Sequence, residues 1–159
     1  MILPSITVRS ATAGDLPAID RVFRTSFCDT FAHLYHERDL QSFLDGFTPE
    51  AWSAEFADPA FAFHVGERGG EVIGYAKVGP NKLPHVEGDA TVELKQFYLL
   101  KSAHSTGLAQ RLMAWVMEEA RRRSARRIAL SVFSENWRAQ AFYARYGFVD
   151  RGPGTFMVG

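Results

Sequence analysis

Cysteine is nearly absent from this sequence: Cys28 is the only one in 159 residues. A lone thiol excludes an internal disulfide framework and fits a reducing compartment. Long apolar runs are missing too. No stretch approaches the roughly 20 residues that a bilayer-spanning helix needs. The opening MILPSITVR, with Pro4 early, holds too short an apolar run for a signal peptide. Neither sign of charge is in excess, since eighteen Lys and Arg balance eighteen Asp and Glu. No global field therefore steers the chain toward nucleic acid or membrane. Internal repeats and low-complexity tracts are absent as well. These exclusions leave a soluble cytoplasmic protein, 47% apolar and 23% charged. It is expected to be a single domain over residues 1–159, long enough to bury a substantial core.

What is present has a clear rhythm. Residues 6–9 alternate apolar and polar, which predicts a short strand. Thr12 to Asp15 supply capping residues ahead of Leu16, Ile19, Val22, Phe23 and Phe27, which share one helical face. A second helical region is expected over residues 30–44, and Pro49 marks the first turn of another before Trp52 and Phe56. Residues 61–67 and 71–78 read as strands around Arg68-Gly69-Gly70, a hairpin signal. Gly74 within the second strand signals a bulge or a close backbone approach. Residues 79–89, with Pro80, Asn81, Pro84 and Gly88, read as a loop.

The second half is patterned more strongly. Residues 91–100 have strand chemistry throughout, and Leu108 to about Arg123 forms an amphipathic helix with Arg121, Arg122 and Arg123 at its negative end. Residues 128–133 are an apolar run broken only by Ser131, as in a strand covered on both faces. Residues 136–146 form a last helix, stopped by Gly147-Phe148, and Thr155–Val158 a final short strand. This order predicts an α/β domain with a mixed sheet.

The segment His104-Ser105-Thr106-Gly107-Leu108-Ala109 runs without a break into the amphipathic helix. Taken alone it is a helix cap; its alternative is a phosphate cradle made of backbone N–H groups. Other features also have a bland reading. Tyr143 beside Phe142 suits a core, Glu93 suits an ion pair with Lys95, and Asn136 is a natural N-cap. His33 and His36, three apart with Glu37 beside them, have no further ligand at a telling spacing, so no metal is expected. The five arginines of residues 121–127 read as a solvated helix end rather than a nucleic-acid surface, and Cys28 as a packed thiol.

Joined in order, three pieces change the balance: strand 91–100, loop 104–109, and N-x-x-A-x-x-F-Y-x-x-x-G-F at Asn136, Ala139, Phe142, Tyr143, Gly147 and Phe148. Together they resemble the GCN5-related N-acetyltransferase (GNAT) family, which transfers an acetyl group from acetyl-CoA to an amine. FRTSFCDTFAHLY (residues 23–35), followed by Asp39 and Leu40, is similar to the first helices of its PaiA-like polyamine N-acetyltransferase branch. The family's loop reads Gln or Arg, two residues, Gly, one residue, Gly or Ala. Here His104 stands at the first position, and Ser105 replaces a common Gly, which suits only a backbone that avoids positive φ. Family members usually continue into a further strand after the stretch matching Thr155–Val158, and this chain stops.

The resemblance implies a GNAT-like three-layer α/β domain. Its central sheet would be mixed and mostly antiparallel, flanked by helices and splayed between strands 91–100 and 128–133. It implies an acetyl-CoA cosubstrate whose pyrophosphate is held by the N–H groups of His104, Ser105, Thr106, Gly107, Leu108 and Ala109. The pantetheine arm would follow the backbone of Phe97, Tyr98 and Leu99, with Leu99 N–H as oxyanion donor. Asn136 would contact that arm, Tyr143 would protonate the leaving thiolate, and Glu93 would be the base, acting through a water; no metal is required.

The acceptor implied is a small primary amine or polyamine. Asp29, Glu37, Asp39, Glu87 and Asp89 would form an acidic rim and Phe27, Phe31 and Tyr35 an apolar wall, or else ordinary surface and core. A protein N-terminus or lysine is the alternative acceptor, and a non-catalytic acyl-CoA-binding sensor the alternative function. Neither nucleic acid nor membrane is an expected partner. An unpaired final strand near Phe156 motivates the expectation of a strand-paired homodimer.

Overall fold

In the computed structural model the residues described are 5–84, 86, 90–133, 135–152 and 155–158; Pro4, Glu87, Gly88, Asp89 and Ser134 lie outside them. The elements follow in the order β1 (Ile6–Ser10), α1 (Leu16–Phe31), α2 (Glu37–Asp45), α3 (Pro49–Ala57), β2 (Ala62–Arg68), β3 (Glu71–Pro80) and β4 (Thr91–Leu99). Then come α4 (Leu108–Arg122), β5 (Arg127–Ser131), α5 (Trp137–Arg145), β6 (Val149–Asp150) and β7 (Thr155–Val158). Two compact units share them: Met1–Lys77 with Gln96–Trp115, and Val78–Lys95 with Val116–Gly159. Among the described residues no helix is long and apolar enough to cross a membrane.

In the first unit the strand order is β1-β2-β3-β4. β1 and β2 pair antiparallel from Ile6↔Arg68 to Ser10↔His64, and β2 turns into β3 through Gly69 and Gly70 at φ 59° and 82°. Two consecutive positive φ values are what a tight hairpin turn needs. α1 starts where expected. Thr12 N–H donates to Asp15 Oδ2 at 2.7 Å, and the Arg9 guanidinium grips Asp15 at 2.7 and 2.9 Å. That grip holds the Asp15 carboxyl well below the usual carboxylate range. Ile19, Val22, Phe23 and Phe27 of α1 then bury against Trp52, Phe63, Val65 and Tyr75.

The second helix departs from expectation. α1 runs on to Phe31, a 3-10 turn covers Ala32–Leu34, and Tyr35 and His36 are extended before α2 begins at Glu37. Glu37 and Asp39 sit in the first turn of α2, where negative charge meets the positive end of the helix dipole.

In the second unit the strand order is β4-β5-β7-β6. β4 and β5 are parallel, but their ladder covers only Thr91↔Arg127, Val92↔Ile128 and Glu93↔Ala129. That short ladder is the expected splay. β7 pairs antiparallel with β5 from Ser131↔Thr155 to Ile128↔Val158, and with β6 at Val149↔Met157 and Asp150↔Phe156. The final strand is therefore paired on both edges, which removes the reason for expecting it to pair with a second copy. Of the five arginines in residues 121–127, two are tied to the fold at the end of α4, while Arg121 pairs with Glu118 on the surface. Arg122 and Arg123 both bond the buried Glu119, Arg123 at 2.8 Å.

Candidate functional site

The loop ahead of α4 is shaped by its backbone. Ala103 N–H bonds Leu100 O at 2.9 Å and His104 N–H bonds Lys101 O at 3.0 Å, closing a 3-10 turn. The chain then takes the left-handed region twice, at Ser105 (φ 63°) and Gly107 (φ 89°). Ser105 thus adopts the conformation that the replaced glycine would take, contrary to the requirement that it avoid it. A left-handed L-residue costs roughly 1–2 kcal/mol, so something must hold it there. Thr106 does so from the next position: its hydroxyl donates to Ala103 O and accepts from Leu108 N–H at 3.3 Å.

The first helical bond of α4 is Arg111 N–H to Gly107 O at 3.2 Å. Among the described residues, the N–H groups of Ser105, Thr106, Gly107, Ala109 and Gln110 have no acceptor. His104 and Leu108, expected to contribute N–H groups as well, have theirs engaged inside the chain. Around Gly107 no atom outside the glycine and its two chain neighbours lies within 4 Å of where a Cβ would stand. Five unpaired donors at the start of a 15-residue helix, with open space over the glycine, are an arrangement able to accept an anion.

The helix start is pegged to the sheet by Leu108, which is fully buried. A Cβ on Gly66 of β2 would stand 2.3 Å from Leu108 Cδ1, and one on Gly74 of β3 3.0 Å from both Leu108 Cδ2 and Leu99 Cγ. The nearest atoms at Gly74 are thus two leucine side chains, and the backbone approach expected there is that of the Tyr98 carbonyl, at 3.3 Å. Gly66, which carried no signal of its own in the sequence, is the tighter half of the same socket. Leu108 and Ile73 form the buried centre of a cluster against which Phe97 and Leu99 pack.

Along β4, Leu100 N–H bonds Ile73 O at 2.9 Å, and the Tyr98 carbonyl faces Gly74. Every peptide among the described residues is trans, so its N–H and C=O point opposite ways. Leu99 N–H and Leu99 C=O therefore both point away from β3. The Tyr98 ring turns to α1, edge-on to Phe23 at 5.4 Å, and burial pushes its phenol up to about 12. Near the start of α2, the half-exposed Tyr35 and Phe43 (49% and 47%) lie against Phe27, Phe43 stacked on it at 5.0 Å.

The second unit carries the side-chain candidates. Asn136 Oδ1 accepts from Ala139 N–H at 3.3 Å and caps α5, which leaves its NH2 donors out of the cap. At the other end, Phe148 N–H bonds Tyr143 O at 3.2 Å, Gly147 N–H bonds Ala144 O at 3.0 Å, and Gly147 has φ 87°. This is a Schellman closure, and its hydrophobic contact is the Phe148 ring on Tyr143, 5.6 Å between centroids. Tyr143 is thereby fixed in direction, buried at 8% exposure, and two helical turns along from Asn136. Glu93 is buried on β4, where its Oε1 accepts from Lys95 Nζ at 2.8 Å and Lys82 N–H at 2.9 Å. The ion pair foreseen as its bland reading is present.

Comparison with known proteins bears on both halves. The model of the Acetyltransferase (GNAT) family matches residues 23–148. An uncharacterized N-acetyltransferase of Mycobacterium tuberculosis is 38% identical over 122 residues, 76% of this chain and 74% of its own. The aminoalkylphosphonate N-acetyltransferase of Salmonella typhimurium is 27% identical over 147 residues, 92% and 87% of the two chains. In fold the chain is similar to the PaiA N-acetyltransferase from Thermoplasma acidophilum, solved in complex with coenzyme A. That match has a TM-score of 0.78 at 19% identity over 96% of each chain.

Proposed function

This chain belongs to the acetyltransferase (GNAT) family and is an N-acetyltransferase; on that premise we propose that it moves an acetyl group from acetyl-CoA to a small primary amine by direct attack on the thioester. The observation that carries this reading is the row of unpaired N–H groups at Ser105, Thr106, Gly107, Ala109 and Gln110. Those donors, at the positive end of α4, suit a pyrophosphate. The thioester brings an already activated acyl group, so much of the remaining work is positioning.

The chain's own residues then have distinct roles. Leu99 N–H, turned away from β3, stabilises the oxyanion that develops on the acyl oxygen. The acceptor amine has a reference pKa of about 10.4 and arrives protonated. Glu93 takes that proton, directly or through one water, while Lys95 and Lys82 N–H hold its carboxylate in place. Tyr143 gives its phenolic proton to the departing thiolate, and Asn136 offers its NH2 to the pantetheine arm.

For the acceptor, the charge balance around α2 favours a cation. Residues 29–45 hold Asp29, Glu37, Asp39 and Asp45 against Arg38 alone. The nearby Arg24 is already bound by Asp20 and by the Leu44 and Phe47 carbonyls. An acidic stretch beside exposed aromatic rings suits a polyamine or alkylamine better than an aminoalkylphosphonate, whose anion needs basic partners. The test is calorimetric titration with acetyl-CoA, then thiol release over polyamines, alkylamines, aminoalkylphosphonates and lysine peptides. Release fastest with polyamines and slowest with phosphonates is expected. Release with peptides alone moves the acceptor to protein, and binding without any release means a sensor.

A further inference from the structure

α1 carries a buried hydroxyl in its interior, at Ser26, which is 7% exposed. A serine within a helix ordinarily folds its hydroxyl back onto the carbonyl four residues earlier, here that of Val22. Ser26 does not. Its Oγ donates to the carbonyl of Leu99, 73 residues away, at 3.1 Å. Leu99 is the last residue of β4, and the peptide that follows it is consequently held at both ends. Its N–H, on Leu100, bonds Ile73 O, and its C=O is bonded by Ser26.

The consequence lies at the edge of β4. Leu99 N–H and Leu99 C=O stand side by side, both directed away from β3. One is a donor and the other an acceptor. An uncapped carbonyl beside the donor would repel a developing oxyanion, and a part-buried carbonyl left without a partner adds a cost of its own. The Ser26 hydroxyl removes both problems with one hydrogen bond and locks the plane of the adjoining peptide.

We propose that Ser26 is a positioning residue for acetyl transfer: by capping the Leu99 carbonyl it aims Leu99 N–H at the thioester oxygen and quenches the competing acceptor beside it. The proposal rests on the reading of Leu99 N–H as oxyanion donor. Ser26 acts through Leu99 and touches no reacting atom itself.

Acetyl-CoA labelled with carbon-13 at the thioester carbonyl tests this without knowledge of the acceptor. Bound to the wild-type chain, its carbonyl stretch is expected below the solution frequency, as for any carbonyl drawn onto a fixed donor. In Ser26→Ala the stretch returns toward the solution value while the acetyl-CoA Kd stays within about threefold. With an active amine, kcat falls about tenfold at unchanged KM, the size of one lost hydrogen bond. Ser26→Thr, which restores the hydroxyl, recovers both readouts, as a merely space-filling role would not. Should the alanine variant fail to fold, Ser26→Cys supplies a near-isosteric weak donor with the same expected direction. A wild-type stretch and kcat in Ser26→Ala overturn the proposal. An unshifted carbonyl in the wild-type complex overturns the Leu99 donor and Ser26 with it. Failure of the wild-type chain to bind acetyl-CoA at all refutes the cosubstrate, and is seen before any variant is measured.

Discussion

The two segments proposed to meet acetyl-CoA, residues 104–107 ahead of α4 and residues 136–148 around α5, are built from different material. The first is backbone. Its donors are main-chain N–H groups, and its shape comes from two positive φ values and the bonds of one threonine hydroxyl. The second is side chain: an asparagine cap, a glycine stop and a tyrosine clamped by Phe148. A backbone site tolerates a change of letter as long as the chain path survives, which is why His104 and Ser105 stand in the loop without closing it. A side-chain site has no such tolerance. Substitutions in the α5 segment should therefore act through the side chain removed, on activity at Tyr143 and on the cap and affinity at Asn136, and those in the loop through the chain path, on stability.

Removing one atom from α5 should have the largest effect. Tyr143→Phe keeps the ring against Phe148 and deletes only the hydroxyl, so kcat is expected to fall by about 100-fold or more with little change in melting temperature. Steady-state kinetics beside a thermal melt check it; unchanged kcat would make Tyr143 a core residue. Next is Gly66→Ala, whose new Cβ meets Leu108 Cδ1 at 2.3 Å. Overpacking there should cost about 1–3 kcal/mol and, by displacing the start of α4, weaken acetyl-CoA binding, both readable from urea melts and calorimetry.

Asn136 separates cap from contact. Asn136→Ala should lose about 1 kcal/mol of stability together with affinity. Asn136→Asp should keep the cap and lose affinity alone. The smallest effect belongs to the loop: Ser105→Gly relieves a left-handed serine at φ 63° and should raise stability by about 0.5–1 kcal/mol, with acetyl-CoA affinity retained. A destabilised glycine variant would mean that the serine side chain is needed there.

These same differences decide what could be read from the chain in advance. α5 was legible because Asn136 and Gly147 punctuate it and because Tyr143 and Phe148 fall at spacings that a helix and its stop impose. The hairpin at Gly69-Gly70 and the proline start of α3 were legible for the same reason. The break before α2 was not, since Tyr35 and His36 take extended conformations without a glycine or proline to announce them. β6 escaped because two residues, Val149 and Asp150, cannot show an alternation, and without β6 the strand Thr155–Val158 seemed unpaired. The Ser26–Leu99 bond and the Gly66–Leu108 socket join residues far apart in sequence, so no local pattern encodes them. Glu93 was visible as a candidate, but its hold on Lys82 N–H depends on how the chain returns after β3.

The central claim is that the backbone ahead of α4 holds the cosubstrate's phosphates, and amide NMR tests it most directly. On titration with CoA, the N–H resonances of Ser105, Thr106, Gly107, Ala109 and Gln110 should move downfield together and saturate with one binding constant. Binding of CoA that leaves these five amides unmoved would contradict the account and reduce HSTGLA to the start of a helix.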